Sequence, residues 1–278
     1  MSINWYPGHM NRALREVSTA LKQFDLVIEL RDARVAGAST NPRFSELLVH
    51  KPRLIILAKA DLADPEVTKL WLEKLNTPTD RVIALDFFRD NMNIVTRECL
   101  QLLKEKRERQ IRKGITPRAV RAMVVGIPNV GKSTLINKLA KRKIVKVADK
   151  PGVTRALHWV KVNKDLDLLD TPGILWPKFE DEEVAILLAI TGAINDKVLD
   201  LQQIAKYAYD FLYENYPALL FKRYGELPID FTEGMETISL RRYFIKREQE
   251  LDMERTLITF IDEIRSPYFK GVSWQKVR

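Results

Sequence analysis

Eight consecutive residues, Gly126-Ile127-Pro128-Asn129-Val130-Gly131-Lys132-Ser133, fit the pattern G-x-x-x-x-G-K-[ST]. In that pattern a glycine-rich turn wraps a phosphate chain with backbone N–H groups. Gly126 and Gly131 keep side chains out of the way. Lys132 supplies a cation for the β- and γ-phosphates, and the Ser133 hydroxyl is a ligand for Mg²⁺. The helix that opens here turns its positive end toward the anion. Asn129, Val130, Gly131, Lys132, Ser133 and Thr134 are therefore the candidate phosphate contacts.

Asp170-Thr171-Pro172-Gly173 follows at the end of another apolar run. Asp170 is placed to hold Mg²⁺, commonly through water, and the Gly173 N–H can sense a γ-phosphate. Between the two signatures lies Pro151-Gly152-Val153-Thr154. Thr154 is the candidate for a second hydroxyl on Mg²⁺, available when a γ-phosphate orders its loop.

A base-reading segment stands upstream of both, where the usual order would put it downstream. Lys59-Ala60-Asp61 ends an apolar run. An aspartate there accepts from guanine N1–H and N2–H₂, donors that adenine lacks, so GTP and GDP are favoured over ATP. The Lys59 stem can lie over the ring face. Strong guanine sites carry Asn or Thr before this lysine, whereas this chain has Ala58. The lost hydrogen bonds weaken binding by about 1–2 kcal/mol. Ala84-Leu85-Asp86-Phe87 is the segment placed to meet the guanine oxygen, with Asp86 and Phe87 as candidate contacts.

The elements that must position these groups read as strands and helices in alternation. The runs at 26–30, 53–58, 81–85 and 121–125 suit strands buried on both faces of a parallel sheet. Helical patterns separate them, one over 65–75 behind the N-cap Asp64 and one over 93–110. The runs 158–162 and 166–169 flank a short polar turn and pair as a hairpin, the first at an antiparallel edge. The fold class expected is α/β, a P-loop fold with permuted motif order. After Pro177 strand patterns stop, and helical periodicity is expected over 182–194, 200–216, 239–251 and 254–265. The chain divides into a nucleotide domain over 1–178, with a short arm over 1–12, and a smaller all-α domain over 179–278.

Composition bounds the partners. The chain has 278 residues and a formal net charge of +9, which favours a polyanion. Basic groups recur at 104–113, at Arg118 and Arg121, at Lys141-Arg142-Lys143, at Arg241-Arg242 and at Lys246-Arg247. No basic amphipathic helix or long apolar run points to a membrane. Cys99 is the only cysteine, so no internal disulfide forms, which fits a cytoplasmic protein. Tyr207, Tyr209 and Tyr213 read as packing residues rather than base-stacking platforms.

The order of base motif, P-loop, threonine loop and D-x-x-G is that of a circularly permuted GTPase. Together with Trp5-Tyr6-Pro7-Gly8-His9-Met10 and Asp32-Ala33-Arg34, it resembles the ribosome biogenesis GTPase A family, bacterial assembly factors for the large ribosomal subunit. The resemblance covers nearly the whole chain. It implies GTP hydrolysis stimulated by the subunit, and a helical domain that binds ribosomal RNA. It further implies action on a late large-subunit precursor among ribosomal proteins. A monomer is expected. The position after D-x-x-G, glutamine in many GTPases, is Ile174 here. The attacking water must be oriented from elsewhere, and His9 is the first candidate, supported by the family's motif histidine. In similar GTPases an asparagine at the place of Asn129 helps to hold K⁺. Ala58 and Ile174 motivate an alternative, an RNA-binding assembly module with a structural nucleotide and negligible turnover. In the permuted order the segment behind Gly173 hands directly over to the helical domain, so a γ-phosphate signal would be delivered there.

Overall fold

The computed structural model describes residues 3–4, 18–48, 51–144, 158–171, 178–179, 181–195, 199–247 and 249–277. His9, Thr154, Gly173 and Ile174 lie outside them. Strands β2 (Leu26–Asp32), β3 (Arg53–Ala58), β4 (Asp80–Leu85), β5 (Val120–Gly126), β6 (His158–Lys161) and β7 (Leu166–Asp170) form one sheet in the order β4-β3-β2-β5-β7-β6. All neighbours run parallel except the edge pair β6–β7, as the short polar turn implies. Burial of β2 and β5 on both faces explains their near-continuous apolar runs, which Glu29 interrupts in β2 and Arg121 in β5.

The permutation leaves this sheet intact. The later strand β5 pairs with the earlier strand β2, Leu26 opposite Ala122 and Leu30 opposite Gly126. From that seam the chain winds outward through β3 and β4 on one side and through β7 on the other. Ligands bind where the winding reverses, beyond the carboxyl ends of the strands. The β5 end leads into the P-loop, the β3 end into Lys59, and Asp170 closes β7. A separate short strand, β1 (Ile3–Asn4), pairs antiparallel with β8 (Lys178–Phe179).

Helices α1 (Pro42–Leu47), α2 (Pro65–Leu75), α3 (Asn93–Leu102), α4 (Lys104–Arg112) and α5 (Lys132–Ala140) accompany the sheet. The Asp64 carboxylate accepts from Glu66 N and Val67 N and caps α2. The helix expected over 93–110 is two helices, broken at Leu103. α3 buries Val95 and Cys99, whereas α4 buries nothing. Its charged run is a solvated face, consistent with one change of environment within a single periodic stretch.

α6 (Glu182–Ile190), α7 (Leu201–Asn215), α8 (Pro217–Tyr224), α9 (Phe231–Arg241) and α10 (Met253–Arg265) follow. Asp181, Asp200, Asp230 and Asp252 cap α6, α7, α9 and α10 by accepting first-turn N–H groups. The expected helix over 239–251 is corrected. α9 ends at Arg241, and the chain turns back through an antiparallel bridge, Ile245 opposite Leu251. Tyr209 is fully buried at the centre of these helices. A Cβ on Gly234 would fall 2.2 Å from its hydroxyl, so α9 lies close over it because residue 234 has no side chain. The apolar core is continuous from β2 and β5 through α6 to Phe260, Val272 and Trp274.

Candidate functional site

The P-loop is shaped by backbone conformations suited to glycine. Gly126 has φ +155° and Gly131 φ +107°. A Cβ on Gly126 would lie 2.7 Å from the Leu30 carbonyl of β2, so the loop closes against the neighbouring strand. Asn129 takes φ +57° without that freedom. Lys132 begins α5 and is buried. Its Nζ donates to the Gly126 and Ile127 carbonyls at 3.0 and 2.8 Å. Burial pushes the Lys132 ammonium down to about 8, partly offset by Asp170. The ammonium thus waits inside the loop, with its charge favouring an incoming phosphate. Val130 is buried under the loop, and Ser133 and Thr134 are half-buried at the start of α5.

Asp170 is 1% exposed and stands opposite Val124 in the register of β5 and β7. Next to it, Thr171 Oγ1 donates to the Val124 carbonyl at 2.6 Å and ties the exit of β7 to the P-loop strand. A serine hydroxyl and a buried carboxylate are hard oxygen donors, and such donors fit Mg²⁺ shared with phosphate oxygens. Among the described residues no three His, Cys, Asp or Glu side chains cluster to hold a metal by themselves.

The base loop is braced from three sides. Ala58 ends β3 fully buried in the apolar core, with no polar group in the place of the usual asparagine. Lys59 adopts φ +57°, and its Nζ lies 3.0 Å from Asp32 Oδ2. Asp32 is buried and accepts from Arg34 Nε and Nη2 at 2.9 and 2.8 Å. Burial works against the Asp32 charge, but Arg34 and Lys59 outweigh it and hold the carboxyl well below the usual range. Asp61 stands half-buried two residues on, and its charge acts on Arg34. Ala60 N reaches the Leu85 carbonyl at 3.4 Å, so the base loop adjoins the end of β4.

The segment behind β4 forms a turn of its own beside the base loop. Asp86 N donates to Asp90 Oδ2 at 2.8 Å, and Asp86 Oδ1 accepts from Phe88 N. These bonds close a local turn. The Phe87 ring wedges against the P-loop, where a Cβ on Gly131 would meet its edge at 3.0 Å.

The third brace was not legible in the motifs. Residues behind α10 return to the base loop: Gly271 N and Val272 N both donate to the Leu62 carbonyl, and Trp274 N donates to the Arg34 carbonyl. Asp64 N donates to Ser273 Oγ at 3.1 Å, and Gln275 Oε1 accepts from Gly37 N and Ala38 N at 2.9 Å each. On the phosphate side, Asn129 Nδ2 donates to the Gly192 carbonyl at 2.9 Å, just beyond α6. Both halves of the site are thus bonded to the helical part. Asp32-Ala33-Arg34 was visible as a motif; nothing in its spacing disclosed what it holds.

Residues 121–212 match the sequence family described as "50S ribosome-binding GTPase". The chain is 46% identical over 279 residues to ribosome biogenesis GTPase A of Bacillus pumilus, with 99% of each chain covered. It is 29% identical to the protein of that name from Thermotoga maritima, over 99% of this chain and 94% of that one. Among solved structures it is similar to GDP-bound YlqF, with TM-score 0.70, 26% identity and coverage of 94% of this chain and 99% of that one. It is also similar to GNP-bound YlqF from T. maritima, with TM-score 0.66, 27% identity and coverage of 95% and 98%. Identity of this order over nearly the full length places the chain in the ribosome biogenesis GTPase A family, and it is a GTPase.

Proposed function

We propose that this GTPase acts in the cytoplasm on late precursors of the large ribosomal subunit. In this reading it works as a monomer and contacts ribosomal RNA and proteins through residues 179–278. The observation that carries the coupling is the Asn129–Gly192 hydrogen bond. A side chain of the phosphate-binding turn holds the helical part directly, so a nucleotide that shifts Asn129 shifts a contact with the helical part. The net charge of +9 supports a polyanionic partner. Among the described residues no helix is long and apolar enough to cross a membrane.

Ser133, Thr154 and Asp170 are the residues we assign to Mg²⁺. When bound, the ion neutralises charge on the phosphate oxygens. Lys132 and the N–H groups of the P-loop cradle the β- and γ-phosphates. Asn129 has the donor chemistry for K⁺ through its amide oxygen, and K⁺ is expected to stimulate turnover over Na⁺. Gly173 reports the γ-phosphate, and His9 orients the attacking water, since Ile174 can neither donate nor accept. Asp61 reads guanine.

The test is co-sedimentation with large subunits in GDP, in a non-hydrolysable GTP analogue and without nucleotide, paired with single-turnover hydrolysis. Retention that favours the analogue, with hydrolysis accelerated by subunits, supports the reading. Equal retention in all three states together with unaccelerated hydrolysis defeats it.

A further inference from the structure

The exposed aromatics of the described residues divide unevenly. Phe88 carries Lys138 over its ring at 4.7 Å, Trp159 carries Arg121 at 5.2 Å, and Tyr268 carries Arg223 at 3.9 Å. Tyr243 is the most exposed of them at 84%, and among the described residues no ring or cation stacks on it.

Its backbone makes this exposure more telling. α9 closes in a Schellman turn: Phe244 N donates to the Ser239 carbonyl at 3.0 Å and Tyr243 N to the Leu240 carbonyl at 3.1 Å. Tyr243 occupies the left-handed position of that turn, with φ +55°. Glycine or asparagine ordinarily stands there, because a Cβ is disfavoured at positive φ. An aromatic residue in that place gains no packing in return. The turn itself is firmly held. Phe244 is buried, and its carbonyl accepts from Ser239 Oγ at 3.0 Å and Asp252 N at 2.8 Å. The ring is therefore presented outward on a fixed support.

Four cations stand within four residues of the ring in sequence. Arg241, Arg242, Lys246 and Arg247 flank the ring in sequence, with Glu236 before them and Glu248 and Glu250 after them. Arg242 is engaged by Glu263, and Arg241 by the Tyr224 carbonyl. Lys246 and Arg247 are exposed.

We propose that Tyr243 is a stacking platform for an unpaired RNA base, with Lys246 and Arg247 neutralising the flanking phosphates. This rests on the reading that the helical part binds ribosomal RNA, and it narrows that target to a single-stranded segment, bulge or loop. Unpaired bases stack on aromatic faces, while phosphates meet lysine and arginine. An exposed ring with cations within four residues on both sides in sequence suits a single strand, whose bases stack and whose phosphates pair with lysine and arginine.

The test uses the full chain, a single-stranded RNA oligonucleotide, the matching duplex and purified large subunits. Tyr243→Gly should weaken single-strand binding about tenfold, leave duplex binding unchanged, and keep or raise the melting temperature. Tyr243→Phe should bind as the parent does. Lys246→Ala with Arg247→Ala should flatten the salt dependence. Unchanged single-strand affinity in Tyr243→Gly overturns the proposal, as does a lowered melting temperature with unchanged affinity. Loss of subunit binding without loss of RNA binding also overturns it, and would point to a ribosomal protein. A parent chain that co-sediments with subunits but binds no single-stranded RNA refutes the stacking site alone. A parent chain that does neither refutes the ribosomal reading as well.

Discussion

Lys59 Nζ lies 3.0 Å from Asp32 Oδ2, an ion pair that joins the loop behind β3 to the end of the neighbouring strand. Where other guanine sites hold this loop with an asparagine, the chain has a buried alanine and a buried carboxylate behind the lysine. Asp32→Ala should lower GDP and GTP affinity alike, by about tenfold for one lost charge-assisted bond. It should also cost about 3–5 kcal/mol of stability, because Arg34 is left buried without its partner. Calorimetric titration with both nucleotides, beside a denaturant melt, checks this. A loss confined to GTP would move the role of Asp32 to the γ-phosphate.

The returning tail makes a related prediction. Trp274 is 1% exposed and its N–H holds the Arg34 carbonyl. Trp274→Ala should cost about 3–5 kcal/mol through the cavity it opens. Gln275→Ala leaves the core intact and removes only the acceptor for Gly37 N and Ala38 N. It should weaken GDP binding several-fold, about 1 kcal/mol, with little change in melting temperature. Hydrogen exchange at residues 36–38 should quicken in that variant and stay slow in the parent.

Asp61→Asn tests guanine reading. An aspartate accepts twice from guanine, whereas an asparagine can donate to the C2 oxygen of xanthine. Losing two charge-assisted bonds should weaken GDP binding roughly a hundredfold, about 3 kcal/mol. Xanthosine diphosphate should bind the variant better than the parent. Equal GDP affinity in parent and variant would move base reading away from Asp61.

Lys132 gives the nucleotide site a pH dependence. Burial lowers its ammonium to about 8 without nucleotide, and a bound phosphate raises it again. Both states are charged below that value, so GDP affinity should be flat there. Above it the free protein loses the proton first, so affinity should fall, by up to about tenfold per pH unit. Folding without nucleotide shifts the opposite way. The unfolded lysine keeps its proton to about 10.5, so the cost of burying the charge is relieved as pH rises from about 8 toward 10.5. Lys132→Met should remove that rise. Titrations in buffers of different ionisation enthalpy should register proton uptake near pH 9.

The sheet and the phosphate turn were legible because their causes are local. Near-continuous apolar runs mark strands covered on both faces, and two glycines with a lysine between strand and helix mark a phosphate cradle. The end of α9 was not legible. Leu240, Phe244 and Leu251 continue a helical rhythm, and the turn that stops the helix at Arg241 has Tyr243 in place of the glycine that would announce it. The break at Leu103 is equally silent, since nothing at that point interrupts the periodicity. The brace on the base loop was hidden for a different reason. Gly271, Val272 and Trp274 act through backbone N–H groups, which every sequence possesses, and the partners are set by packing of the whole chain. Asp64 shows the limit well: its capping of α2 could be read from Asp-Pro-Glu, but its N–H bond to Ser273 could not.

Gln275 and the Gly37 N–H it accepts are 238 positions apart. At about 5–20 residues per second of synthesis, the base loop is made roughly 10–50 s before the tail that braces it. The phosphate turn and Asp170 are made within that interval, and until it ends the nascent base loop lacks the brace supplied by residues 271–275. Guanine nucleotide should therefore bind more firmly once residues 271–275 have been made and folded back. The order of synthesis thereby puts full nucleotide affinity behind the folding of the helical part.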